Sequence, residues 1–327
     1  MSNFNWGIIG TGGIAHAFAQ DLENVDGHSI RAIGSRTLKR AESFAETIPS
    51  ANAYGSYQEL VNDSAIDAIY VASPHPLHAE HALLALNAGK PVLCEKPFAI
   101  SSNQAQTMID AAKENNVALL EAMWTRYLPH IAQVRLILES GVLGQIQTVE
   151  ADHGQRLADQ NIPRLVDPAL GGGALLDLGI YPVSFAHLIL GAPTRITARA
   201  VMTERGVDAQ TSSIFDYANG AQAIITTTMI AQTPSRAVVS GLLGRLEIDR
   251  TFYNPTDMRV ILFDGTVTQY PNTYSGHGLR EQAIEMARVV RAGLLESPLM
   301  PWSQTIAVMK SMDQIRTQIG LTYPFED

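Results

Sequence analysis

Gly10-Thr11-Gly12-Gly13-Ile14-Ala15 follows a short apolar run, Trp6 to Ile9, and opens a segment, Ile14 to Leu22, with helix-compatible spacing. Glycines placed this way between a strand and a helix match the G-x-G-x-x-G/A pattern of a dinucleotide site. Gly10 allows the tight turn, Gly12 lets the backbone approach a pyrophosphate, and Ala15 is small enough for the helix to pack on the sheet. The phosphates would face the helix N-terminus, where unpaired N–H groups and the helix dipole favour negative charge. Gly10, Thr11, Gly12, Gly13 and Ile14 are thus the expected phosphate-side contacts. At the end of the second strand, where an acidic residue would hold the ribose of NAD, the sequence has Ser35 and Arg36. A planar guanidinium pairs with a 2′-phosphate while the serine donates a hydroxyl, so the expected cofactor is NADP, with NAD as the alternative. Lys39 and Arg40 stand one turn later and either strengthen this field or lie on an exposed helix start.

Two further segments carry groups that can hold or move a proton. Glu95-Lys96-Pro97 follows the apolar run Val92 to Cys94, at the carboxyl end of a parallel strand, the side on which open α/β sheets bind ligands. Position alone also fits Lys96 as a surface lysine followed by a turn proline. In Gly171-Gly172-Gly173-Ala174-Leu175-Leu176-Asp177-Leu178-Gly179-Ile180-Tyr181, Asp177 and Tyr181 are four residues apart and share one helix face. They read either as a reactive pair or as an ion-paired aspartate beside a half-buried aromatic. Trp124 and Arg126 begin the stretch after the last strand of the first half, where they either line the site or serve core packing and an ion pair. His153, Phe252 and His277 fall in segments able to wall a pocket. His75, His78 and His81 are three apart, but no carboxylate or cysteine pattern completes a metal site, and none is expected.

The elements that must position these groups change character along the chain. Over the first half, strands at Trp6 to Ile9, Ser29 to Gly34, Ile66 to Ala72, Pro91 to Cys94 and Val117 to Ala122 alternate with helices at Ile14 to Leu22, Lys39 to Thr47, Leu77 to Ala88 and from Ser101 or Ser102 to Asn115. Unbroken apolar runs such as Ile66 to Ala72 suit strands covered on both faces, and the alternation predicts a doubly wound parallel sheet. From Gln145 onward seven strand-like segments, beginning with Ile146 to Ala151 and ending with Thr266 to Tyr270, follow with few helices between. Asn219-Gly220 and Asp264-Gly265 mark two hairpins, with the composition of type I′ turns. Helices at Gly173 to Leu190, Leu279 to Leu295 and Gln304 to Ile319 complete an α+β domain with a large, mainly antiparallel open sheet. The expected domains are 1–122, a nucleotide-binding Rossmann domain, and 123–327, a substrate-binding and dimerisation domain.

A chain of 327 residues suits two domains at about 100–200 residues each. With 46% apolar and 17% charged residues it lies within the globular range. The 23 basic and 32 acidic residues give a net charge of −9, which opposes a general electrostatic grip on nucleic acid or anionic lipid. The single cysteine, Cys94, excludes an intrachain disulfide and suits a reducing compartment; the cytoplasm is the expected location. Met1 to Gly10 lacks a basic segment of the secretory type. Gly173 to Ala192 is interrupted by Asp177, Gly179, Pro182 and His187 and is not expected to cross a bilayer.

The dinucleotide fingerprint, the Ala72-Ser73-Pro74 turn with His78, Glu95-Lys96-Pro97 and the Gly-Gly-Ala-Leu-Leu-Asp-Leu-Gly-x-Tyr segment together resemble the glucose–fructose oxidoreductase / inositol dehydrogenase / rhizopine catabolism family, over the whole chain. Glu121-Ala122-Met123-Trp124-Thr125-Arg126-Tyr127 and the closing Tyr323-Pro324-Phe325-Glu326 look most like the branch of dimeric dihydrodiol dehydrogenases and NADP-dependent xylose dehydrogenases. The resemblance implies that Lys96 sits beside the nicotinamide and the reacting hydroxyl, that Asp177 is the family's helix aspartate, and that Ser73, Pro74, His78 and Glu95 join the cofactor contacts. Where inositol dehydrogenases carry a histidine four residues after that aspartate, this chain has Tyr181, which makes inositol a poorer candidate and gives a tyrosine the acid/base role.

Oxidising a hydroxyl needs a base for its proton while hydride leaves carbon. A free phenol titrates near about 10, and a neighbouring ammonium favours the phenolate. The implied roles are Tyr181 as proton carrier, Lys96 as its electrostatic partner, and Asp177 as an orienting group or sugar ligand, with Trp124 and Arg126 beside the substrate. Exchanging the roles of Lys96 and Tyr181 is the variant of this scheme. The implied activity is an NADP-dependent dehydrogenase acting on a sugar or cyclic polyol. The alternatives are a nucleotide-binding sensor without turnover, and an enzyme that keeps its cofactor and shuttles hydride between two sugars. An open sheet with helices on one face also implies a homodimer or higher homo-oligomer through the other.

Overall fold

The computed structural model describes residues 3–157, 160 and 162–326. They form two compact units: one runs to Tyr127 and also takes in Gly276–Thr305, and the other comprises Leu128–Ser275 and the chain from Ile306 onward.

The first unit holds β1 (Phe4–Ile9), β2 (His28–Gly34), β3 (Asn52–Tyr54), β4 (Ala68–Val71), β5 (Val92–Glu95) and β6 (Leu119–Ala122). Their order is β3-β2-β1-β4-β5-β6 and every pair is parallel, the doubly wound arrangement expected from the alternation. β4, β5 and β6 are buried at every position, which is why they read as runs without polar alternation. Trp6 meets Phe18 edge to face and Phe18 stacks on Tyr70 at this core, with ring centroids 5.4 and 4.0 Å apart. β3 and the short helix Tyr57–Val61 were not expected; three residues are too few for a periodic signal. Ser101 caps the helix Ser102–Asn115 by accepting from the Gln104 N–H. Because all strands run the same way, the turns after them, at Gly10, Ser35, Ser73 and Lys96, lie along one edge of the sheet.

Residues 276–305 are tied into this unit by buried polar contacts. Asp21 accepts from the Gly278 and Arg280 N–H groups at 3.0 and 2.9 Å, ahead of the helix Arg280–Arg291. Trp302 Nε1 donates to the Leu119 carbonyl and Thr305 donates to Glu121, each at 2.8 Å.

The second unit holds β7 (Ile146–Gly154), β8 (Arg195–Met202), β9 (Asp208–Asp216), β10 (Gln222–Thr228), β11 (Ala237–Gly241), β12 (Gly244–Ile248), β13 (Met258–Leu262) and β14 (Val267–Tyr270), in the order β14-β13-β12-β11-β7-β10-β9-β8. All neighbours are antiparallel except β7 and β10, which run parallel at the centre. The helix Ile180–Leu190 packs on β7 and β10, and alternation along β9 and β10 leaves the other face half exposed.

Both expected hairpins form, but not with type I′ turns. Only Gly220 and Gly265 have positive φ, at 85° and 90°; Asn219 and Asp264 do not. The bonds from Gly220 N–H to Tyr217 O and from Gly265 N–H to Leu262 O close three-residue loops in which a type I turn is followed by a left-handed glycine. β12 was missed because its turn from β11 is Leu242-Leu243, an apolar pair without a turn signature.

The helix predicted from Gly173 to Leu190 is two pieces: Leu175–Gly179 is a π turn, and Ile180–Leu190 is α-helical. The stretch Pro168–Leu190 does have the length and hydropathy of a bilayer span, despite its interruptions. Of its most apolar 18 residues 83% are buried within the protein, so it is a core element whose apolar surface faces other residues.

Candidate active site

In the first unit, β1 ends at Gly10, whose φ of +112° and whose approach to the Ala72 carbonyl, 2.6 Å from where a Cβ would stand, leave room only for glycine. Gly12 is the N-cap of the helix Gly13–Leu22 and provides no side-chain cap, and the first turn has no acidic residue. A Cβ on Gly12 or Gly13 would meet nothing within 4 Å. The first N–H groups of this helix are therefore open to an anion, the arrangement that a pyrophosphate requires. Thr11 is partly exposed and Ile14 exposed beside it.

The neighbouring strand ends fit the rest of a dinucleotide. Ser35 is buried, its N–H bonded to the Tyr54 carbonyl, while Arg36 is exposed, as are Lys39 and Arg40. The helix Leu38–Ala45 has no acidic residue in its first turn, so this edge carries cationic groups where NAD would need a carboxylate. The Arg36 backbone also faces the Tyr57 hydroxyl, a neighbour that sequence reasoning missed. At the end of β4, the buried Ser73 Oγ has no hydrogen-bond partner among the described residues, which suits a group supplied by a ligand. His78 is buried, with Nδ1 2.8 Å from the Pro97 carbonyl and Nε2 2.8 Å from the Ser73 carbonyl. It thus joins the Ser73-Pro74 turn to the Lys96-Pro97 turn through backbone. Burial holds its pKa down at about 4.

Lys96 is partly exposed and follows the buried Glu95, whose carboxylate accepts from the Tyr70 hydroxyl at 2.5 Å and from the Lys96 N–H at 3.2 Å. The Glu95 side chain is thus engaged with protein groups. Glu121, behind it on β6, accepts from Thr305, and burial pushes its carboxyl up to about 7, with Glu95 adding to the shift and Thr305 and Arg126 opposing it. Arg126 is 1% exposed and donates to Gln304 at 2.7 Å. Trp124 is also buried, its ring 4.9 Å from that of His277.

In the second unit, Asp177 lies in the π turn and Tyr181 in the first turn of the α-helix beyond it, 7% and 8% exposed. π turns concentrate at functional sites because the extra residue per turn frees a carbonyl and re-aims side chains. Here the His153 Nδ1–H donates to the Leu178 carbonyl at 3.1 Å, and the Gln155 amide donates to His153 Nε2 at 2.9 Å and to the Tyr253 hydroxyl at 3.2 Å. Tyr253 stacks on Tyr181 with ring centroids 4.6 Å apart, and His153 packs against both. Burial pushes the Tyr253 hydroxyl well above the usual phenol range, so it stays protonated. Asp177 is paired with Arg164 at 2.8 Å, the ion-paired alternative open at the level of sequence.

Of the three residues able to wall a pocket, His153 touches Tyr181 directly, Phe252 is buried beside Phe185, and His277 lies on Trp124 in the other unit. Tyr253, Gln155 and Arg164 were missed. The only available signals were that Tyr253 adjoins Phe252 and that Gln155 lies two residues beyond His153 on the chain, neither of which marks a site.

Residues 4–123 match the model of an oxidoreductase family with an NAD-binding Rossmann fold, and residues 131–247 match the GFO/IDH/MocA C-terminal domain. The chain is 36% identical to trans-1,2-dihydrobenzene-1,2-diol dehydrogenase of Xenopus laevis, over 98% of this chain and 99% of that protein. It is 34% identical to the NADP-dependent D-xylose 1-dehydrogenase of Hypocrea jecorina, over 98% and 93%. Among solved structures it resembles KijD10, a 3-ketoreductase from Actinomadura kijaniata in complex with NADP, at 28% identity and a TM-score of 0.82 over 97% and 98% of the chains. An aldose-aldose oxidoreductase from Caulobacter crescentus shares the fold at a TM-score of 0.87 and 24% identity, over 97% of each chain. The expected family and branch are both borne out. Two domain models in sequence, a parallel sheet followed by a mainly antiparallel one, and relatives matched over nearly their whole length agree: the chain belongs to the GFO/IDH/MocA oxidoreductase family.

Proposed function

We propose that this chain is an NADP-dependent dehydrogenase that oxidises a hydroxyl of an aldose or cyclic diol, with Tyr181 as the proton carrier and Lys96 as the ammonium that favours its phenolate. The observation that carries the reading is the bare, Cβ-free start of the helix Gly13–Leu22 on the same sheet edge as the exposed Arg36. NADP, when bound, accepts the hydride. Gly10 to Ile14 hold its pyrophosphate, Ser35 and Arg36 its 2′-phosphate, and Ser73 and Pro74 line its path, with Ser73 Oγ as a donor. His78 and Glu95 set the turn carrying Lys96 through the contacts described above.

On the substrate side, Tyr181 takes the hydroxyl proton as the C–H bond breaks. Tyr253, kept protonated by burial, and His153 hold the Tyr181 ring in place. Asp177, fixed by Arg164, orients the substrate, and Trp124 and Arg126 set the strand end beside it. The first unit, residues 1–122 extended by Met123–Tyr127 and Gly276–Thr305, serves the nucleotide, and the rest of 123–327 serves the substrate and self-association. The relatives' names support an aldose or diol as substrate: one oxidises a dihydrobenzene diol and another D-xylose.

A screen of pentoses, hexoses, inositols and cyclic diols with oxidised NADP tests the reading together with Lys96→Met and Tyr181→Phe. Each substitution is expected to lower kcat by about 10²–10⁴-fold, the usual worth of a positioned acid or base, while NADPH still binds. Unchanged turnover in both variants would overturn the assignment, and NADPH binding with no turnover on any substrate would favour the sensor.

A second copy of the chain is the proposed partner of the open sheet face. Ile214 and Ile224 stand opposite each other on adjacent strands there, 43% and 44% exposed. Sedimentation at micromolar concentration should give a dimer or larger; a single 35.4 kDa species would contradict it. Burial of Cys94 without a disulfide suits the reducing cytoplasm as the working compartment.

A further inference from the structure

The closing Tyr323-Pro324-Phe325-Glu326 enters none of the chemistry above, yet its tyrosine is buried against the start of the helix that carries Asp177 and Tyr181. The Tyr323 hydroxyl donates to the Gly172 carbonyl at 2.8 Å across 151 positions of sequence. Its own N–H donates to Glu326 Oε2 at 3.0 Å, Glu326 pairs with Arg316, and the Arg316 guanidinium lies over the Tyr323 ring, 4.8 Å from its centroid. The Phe325 ring stacks on the Tyr323 ring at 5.5 Å. Burial pushes the Tyr323 hydroxyl above the usual phenol range, with nearby Asp208 adding to the shift, so the group remains a donor.

A second buried group meets the same helix start. Asp208, at the beginning of β9, accepts from the Leu175 N–H at 2.9 Å and from the Thr211 hydroxyl at 2.7 Å, and a Cβ on Gly173 would run into its Oδ1. Gly172 and Gly173 are also bonded through their N–H groups to the Asp167 and Leu165 carbonyls. A π turn gives up the regular i to i−4 ladder, so its direction depends on contacts from outside the helix.

We propose that residues 323–326 form a clasp which, with Asp208, positions the Leu175–Gly179 turn and through it Asp177 and Tyr181; Tyr323 and Asp208 are positioning residues. The proposal rests on the proposed role of Tyr181. Its test is therefore built so that the two can fail separately.

Tyr323→Phe removes the hydroxyl and keeps the ring contacts; Glu326→Gln loosens the base of the clasp. Hydrogen exchange of the full-length chain, followed by mass spectrometry, reads residues 173–179 without using activity. Losing one neutral hydrogen bond should speed exchange of this stretch by roughly fivefold in Tyr323→Phe, and by less in Glu326→Gln, with NADPH affinity unchanged. On the aldose or diol turned over in the screen, Tyr323→Phe should lower kcat by roughly three- to tenfold without changing KM for NADP. The same substitution in a Tyr181→Phe background should lower it no further. Unchanged exchange at 173–179 in both variants, or an equal loss of kcat in the two backgrounds, overturns the clasp. If Tyr181→Phe alone leaves kcat intact, the acid/base assignment falls instead, and the exchange result still decides whether the clasp holds the turn.

Discussion

Two glycine-rich turns lead into helices in this molecule, one at Gly10 to Gly13 and one at Gly171 to Gly173, and they use the missing side chain in opposite ways. At the first, Gly12 and Gly13 leave space that the described residues do not fill, and the helix begins without a side-chain cap. At the second, the space is filled from within the unit: Asp208 takes up the position that a Gly173 Cβ would occupy and accepts the Leu175 N–H, while Tyr323 reaches the Gly172 carbonyl. One helix start is kept for an anionic ligand, and the other receives the protein's own carboxyl group. The same residue type thus marks a binding site in one place and a fixed scaffold in the other, and only the three-dimensional surroundings tell them apart.

Paired substitutions give the largest expected contrast. Gly12 has φ −86° and open space, so Gly12→Asp is sterically allowed and supplies the acid cap that the helix lacks. Its carboxylate should raise the Kd for NADPH by about 100-fold through repulsion and occupation of the N–H groups, while thermal stability holds or rises. Gly173 has φ +118°, and Gly173→Ala should cost on the order of 3 kcal/mol in a urea melt through strain and collision with Asp208, leaving the NADPH Kd of the folded fraction unchanged. The contrast breaks if Gly12→Asp still binds NADPH normally or if Gly173→Ala is neutral in stability.

A smaller effect sharpens the second half of the comparison. Burial pushes the Asp208 carboxyl up to about 7 from an ordinary 3.8. The folded state then holds a proton that the unfolded state has released, so this group's contribution is fully present below about pH 4 and is lost as pH rises through 7. Urea midpoints should fall between pH 5 and pH 8. Asp208→Asn should reduce that fall, on the order of 1–2 kcal/mol at pH 8, while the slope due to Glu121 remains because its carboxyl is raised in the same way. An identical pH dependence in Asp208→Asn would show that this carboxyl does not titrate in that range.

The legibility of the sequence follows the same division. In the first unit, short-range signals suffice: the glycine fingerprint, the absence of an acid at Ser35-Arg36 and the buried runs of β4 to β6 sit where the motif spacing puts them. In the second unit, the decisive contacts join distant segments. The pairs Tyr323 with Gly172, Arg164 with Asp177, and Tyr253 with Tyr181 leave no periodic trace. The π turn was hidden because its composition is that of an ordinary buried helix. The hairpin glycines were found, but their turn type depends on the φ of the residue before each glycine, which composition alone left open.

The most direct measurement is a fluorescence titration of the purified chain with NADPH and with NADH. With Arg36 exposed beside a carboxylate-free helix start, NADPH should bind at least about tenfold more tightly, the worth of one charge-assisted contact to the 2′-phosphate. Equal or tighter binding of NADH, or no binding of either, would contradict the assignment of this edge of the sheet to NADP.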